Sequence, residues 1–235
     1  MNASPLTLEP AFMLGPVPIA APVVVTWVIL AVLGVGAFLA TRRLSTRPSA
    51  FQSLLEIVVV TIDDQIRGTM QTDPARFRAL IGTIFLYVLV ANWSSLVPGV
   101  EPPTARLETD AALAFIVLGA TVAFGIATRG LGGYLATFAE PTWVMIPLNL
   151  VEQVTRTFSL IVRLFGNVMS GVFVIGIVLS LAGLLVPIPL MALDLLTGAV
   201  QAYIFAVLAT VFIGAAVGER PPPRSEPTSS EGKTP

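Results

Sequence analysis

Between Thr157 and Gly218 the chain carries 62 residues and only two charges, Arg163 and Asp194. That is far longer than the ~20 apolar residues a helix needs to cross roughly 30 Å of hydrocarbon. Prolines at 187 and 189 interrupt it, and proline both lacks a backbone donor and clashes inside a helix. The stretch therefore predicts two long membrane helices, over 149–186 and 190–217, joined as a hairpin. From Arg163 to Pro187 the chain advances by 24 residues, about 36 Å at 1.5 Å per residue, so both helices are expected to tilt.

The rest of the sequence repeats the theme. Apolar runs at 22–41, 77–97 and 111–128 predict three further spans, and charged residues make up only 11% of the chain against about 25% in soluble domains. The expected fold is an all-α integral membrane protein of about five spans, formed as one transmembrane domain over 22–217. Residues 1–21 read as a short Pro-rich segment and 218–235 as a disordered tail rich in Pro, Ser, Glu and Gly. Within 53–70, Leu54, Leu55, Val58, Val59, Ile62 and Ile66 share one helical face, with Glu56, Asp63, Asp64 and Arg67 largely off it. That pattern predicts an amphipathic interfacial helix, too polar to span.

Six of the thirteen basic residues fall in 42–78, so the positive-inside rule places that stretch on the cytoplasmic side; the expected location is the cell inner (plasma) membrane. The N-terminus is then outside and, by counting spans, the C-terminus inside. A net charge of −1 speaks against nucleic-acid partners, and the absence of Cys and His removes thiolate chemistry and the usual metal ligands. No cofactor and no metal are expected.

A charge at mid-bilayer costs about 2.5–3.5 kcal/mol, so it usually faces a partner or a wet cavity. Glu152 and Arg156 form an i, i+4 pair that marks the cytoplasmic end of its helix, and Arg163 lies about 10 Å further along. Snorkelling is thus disfavoured. Two readings stay open: a structural pair between Arg163 and Asp194, or a functional site. Arg163, Asn167 and Ser170 recur at i, i+4, i+7, while Asp194, Gly198, Gln201 and Phe205 make a similar stripe on the next helix. Small residues at Gly166, Gly171, Gly176, Gly198, Ala199 and Ala202 permit close helix approach. Arg106, Glu108 and Asp110 read as a local surface network.

"RLFGN" at 163–167 with Gly171, followed by "LLTGAVQAYIFAVLATVFIG" at 195–214, resembles subunit a of F-type ATP synthases. "IPLNLVEQVTRTFSL" at 146–160 and "PPTARLETDAALA" at 102–114 are similar to that family's preceding segments, and the likeness covers roughly 50–217. The resemblance implies that Arg163 is the essential stator arginine, that Asn167 and Gln201 are its polar partners, and that Glu152 lies at the inner mouth of an ion path. It also implies a c-subunit ring, b subunits of a peripheral stalk and the bilayer as partners, with proton or sodium translocation driving ATP synthesis.

In the family each ring carboxylate crosses lipid neutral or ion-loaded. An arginine within a few ångströms favours its ionised form, and, unlike lysine, arginine cannot lose its proton there. Three positions depart from the family. Val172 and Asp194 stand where many relatives have a carboxylate and a His or Glu, and Arg106 stands where aspartate is common. Asp194 is expected to serve as the outer acid in place of both. These departures are similar to a divergent second-operon branch, for which sodium coupling has been proposed.

Without a phosphate-binding loop the chain is not expected to perform ATP chemistry itself. The alternatives are a stand-alone secondary transporter or channel, which calls for a repeat symmetry that is not visible here, and a passive membrane anchor.

Overall fold

A computed structural model describes residues 10–14, 17–42, 50–97, 100–139, 143–183 and 186–218. Six helices make up nearly all of it: α1 (Ala21–Arg42), α2 (Ala50–Met70), α3 (Ala75–Trp93), α4 (Leu107–Ala139), α5 (Met145–Ala182) and α6 (Ile188–Val217). Five of them, all but α2, are long and apolar enough to cross a membrane. The expectation of an all-α membrane protein holds, with one small addition. Two short strands, β1 (Pro10–Leu14) and β2 (Val17–Ala20), pair antiparallel just before α1, in a segment read only as Pro-rich. The expected tail lies outside the described residues beyond Gly218.

Pro74, in the helical region at the N-cap, fixes the start of α3, while Asp73 Oδ1 accepts the Ala75 N–H at 3.0 Å. Proline is well tolerated at a helix start because the first amides have no partner within the helix. At the far end of α6, Gly218 turns the chain with φ 79°, and its N–H donates to Gly214 O at 2.9 Å. Arg129 of α4 caps the same end, donating from Nε to Val217 O at 3.0 Å.

The sequence reading stops the third span at residue 128; the structure carries helix on to Ala139 across a break at Gly130, where φ is 73° and ψ 165°. Glycine takes that conformation without steric cost. The arm beyond it folds back, so that a Cβ at Gly125 would lie 2.6 Å from the Tyr134 ring.

α3 and α6 form the centre of the bundle, with α4 and α5 packed around them. Tyr87, Val88 and Ala91 of α3 meet Leu113, Ala114 and Val117 of α4, Leu160, Leu164 and Val168 of α5, and Ala202, Phe205 and Ala209 of α6 in one buried cluster. A second cluster seats α2: Ile66 and Met70 pack on Phe77, Ile81, Ala206, Ile213 and Val217. Asp63 corrects the sequence reading here. It lies on the packed side, not off it, paired with Arg78 of α3, because a short-range cation lets a carboxylate accompany an apolar face into contact. α5 is scarcely covered: only 11% of its most apolar stretch is buried inside the chain.

Candidate functional site

Leu160, Leu164 and Val168 turn one face of α5 into the core. Arg163, a neighbour of Leu164 in sequence, is set about 100° round the helix from it and is exposed. It lines a groove of about 570 Å³ between α5 and the second half of α6, with Glu152, Arg156, Ser159, Leu208 and Phe212 among the other walls. Glu152 and Arg156 form the ion pair expected from their spacing. Both also line an adjoining polar pocket of about 360 Å³ with Thr121, Asn149 and Gln153. Among the described residues, Arg163 itself makes no ion pair or hydrogen bond.

Asp194 belongs to a different neighbourhood. It is half-buried and packs on Gly171, where a Cβ would lie 2.9 Å from its Cγ and closer still to Oδ1. A methyl at this position would displace the Asp194 carboxylate from where it packs. Ser95, just past α3, places its Oγ 3.1 Å from Asp194 Oδ2 and 2.8 Å from Asn92 O. Having one proton, the hydroxyl can donate to only one of them at a time.

Asn92 is the hub of this cluster. Its Nδ2 donates to Gly198 O at 2.9 Å, and its Oδ1 accepts from Thr104 Oγ1 at 2.8 Å. Trp93 Nε1 adds a bond to Leu195 O at 3.0 Å. Four polar contacts therefore fix α6 and the Pro103–Ala105 turn to the end of α3. Gln201, one turn along from Gly198, is buried, and its Nε2 has no hydrogen-bond partner among the described residues.

The two membrane charges are not partners. Gly171, which touches Asp194, lies eight residues past Arg163 in sequence, about 12 Å along the helix and about 80° round it. The structural-pair reading fails on that geometry. Asn167 is half-buried between the two levels, and the Ser170 hydroxyl turns back to Asn167 O at 3.0 Å. The surface network of Arg106, Glu108 and Asp110 is also corrected: Arg106 pairs with Glu101 at 2.8 Å, and Asp110 has no exposed surface. Asn92, Ser95 and Thr104 were not picked out from sequence. A lone Asn inside the apolar run 77–97 was the one signal for them, since such a side chain seeks a bond across helices.

Comparison with known proteins shows the family. The family model described as ATP synthase A chain matches residues 23–214. ATP synthase subunit a 2 of Bradyrhizobium sp. is 56% identical over 218 residues, covering 93% of this chain and 98% of its own length. ATP synthase subunit a of Albidiferax ferrireducens is 50% identical over 206 residues, 86% of this chain and 89% of that one. ATP synthase subunit a 1 of Chlorobaculum parvum is 48% identical over 200 residues, 84% and 88% respectively. The chain belongs to the ATP synthase A chain family, the ion-translocating subunit of that enzyme's membrane sector.

Proposed function

We propose that Arg163 is the stator charge of a rotary ATP synthase, offered to the carboxylates of a c-subunit ring that turns against α5 and α6. One observation carries this reading: an arginine in an apolar helix, exposed and without an ion-pair or hydrogen-bond partner among the described residues, on a helix that those residues leave largely uncovered. An unpaired membrane charge is costly unless something outside the chain answers it. A permanent cation lowers the proton or sodium affinity of each carboxylate that reaches it. It also bars an ion from crossing between two paths that open on opposite sides.

Those paths are, on this reading, the two polar regions that flank Arg163. Glu152, with the groove and pocket around it, is the inner one. Asp194, Asn167, Ser170 and Gln201, joined by Asn92, Ser95 and Thr104, are the outer one. A buried Gln201 amide with a donor to spare suits a partner that comes and goes. The N-terminus is outside and the C-terminus cytoplasmic, with b subunits of a peripheral stalk holding the chain against the ring. Proton and sodium remain the two coupling ions to be compared.

The test uses the whole complex in proteoliposomes. Arg163→Ala and Arg163→Lys should both abolish ATP-driven pumping while the complex still assembles; pumping near the wild-type rate in Arg163→Ala overturns the proposal. A protonophore and a sodium ionophore, added separately, identify the ion.

A further inference from the structure

Asp110 is a membrane carboxylate that the reading above does not use. It lies in the first turn of α4 with no exposed surface, and neither carboxylate oxygen has a hydrogen-bond partner among the described residues. Leu113, Ala114 and Val117, one and two turns on, pack with Ile29, Tyr87, Ala91 and Ala105. A residue that merely filled this space would be better uncharged, because a buried carboxylate without donors is destabilising.

Its surroundings lead in two directions. Toward the surface, Arg106 is one turn earlier, with Asp110 N donating to Arg106 O at 3.2 Å, and it pairs with the half-exposed Glu101. Toward the interior, Tyr87 of α3 packs in one cluster with Leu113 and Ala114, the next turn of α4, and its hydroxyl lies 3.2 Å from Thr26 Oγ1. Thr104, also without exposed surface, flanks Arg106 on the other side and is bonded to Asn92. Through Asn92 and Ser95 the polar chain continues to Asp194.

We infer that Asp110 is a second acidic station for the coupling cation, one helical turn in from Arg106 on an outer path that continues by way of Thr104 and Asn92 to the Asp194 cluster. This rests on the reading of Asp194 as the acid of the outer path. The carboxylate binds the cation and passes it on, returning unchanged, so nothing is oxidised and no other reactant is required. Proton and sodium share this chemistry, and the experiment separates them.

The complex is reconstituted and ATP synthesis is driven by an imposed ion gradient. Outer sodium is varied at fixed pH in one arm; outer pH is varied without sodium in the other. Asp110→Asn should raise the outer cation concentration for half-maximal synthesis by about tenfold in the arm of the true coupling ion, and Asp110→Glu should restore most of it. A merely structural aspartate would lower the maximal rate and leave that concentration unmoved. An unchanged concentration dependence in both arms overturns the inference. Should Asp110→Asn fail to assemble, Asp110→Glu and Asp110→Gln are compared, and equal dependences overturn it likewise. Asp194→Asn is run in parallel: normal coupling there sinks the outer-acid reading itself, whereas loss of coupling there with a normal Asp110→Asn sinks only the present inference.

Discussion

Asn92→Ala is the substitution whose consequence can be worked most directly from the structure. It deletes two bonds between segments, to Gly198 O at 2.9 Å and from Thr104 Oγ1 at 2.8 Å. Side-chain bonds between membrane helices average about 0.6 kcal/mol and reach about 1.7, so the pair comes to roughly 1–3 kcal/mol. The two losses are unequal. Gly198 O sits in a helix with a backbone donor to fall back on, whereas the Thr104 hydroxyl, in a buried turn with no exposed surface, is left as an orphan donor.

Thr104→Val removes that orphan, and the double variant should therefore be less unstable than the two single costs added together. The assay is a double-mutant cycle on the purified complex, titrated with SDS and followed by retention of this chain. A coupling of about 0.6 kcal/mol or more is expected between the two sites. Strict additivity, or an Asn92→Ala complex as stable as wild type, would refute the account of Asn92 as the hub that holds α3, α6 and the intervening turn together.

Two glycine substitutions complete the set. In Gly171→Ala the new methyl would sit 2.9 Å from Asp194 Cγ, so the carboxylate must swing away from Ser95, and ATP-driven pumping should fall about tenfold or more; full pumping by an assembled complex removes the close-approach argument. Gly198→Ala puts a methyl 3.1 Å from Asn92 Cβ, an overpacking of about 1–3 kcal/mol in the same SDS titration. Asn92→Ala keeps its Cβ and should not relieve that strain; relief by Asn92→Ala would show that the contact lies elsewhere.

The sequence by itself determined the class of fold. A run of 62 residues with two charges has few stable forms in lipid other than helices, because the backbone must satisfy its own hydrogen bonds. Prolines, glycines and basic clusters then punctuate it. Arg163, Asp194 and Gln201 stood out as candidates for the same reason, since polar groups are conspicuous where they are expensive, whereas Glu152, at an exposed helix end, was chosen by resemblance alone. Periodicity could not say which polar groups meet, since helical spacing describes one helix and not its rotation against the next. Only the tertiary structure placed Asp194 at the level of Gly171, and so separated it from Arg163. It likewise turned Asp63 and Asp110 inward, although both read from sequence as lying off the packed faces. Those choices depend on where Arg78 and Tyr87 of α3 come to lie, and so on long-range packing that no local pattern encodes.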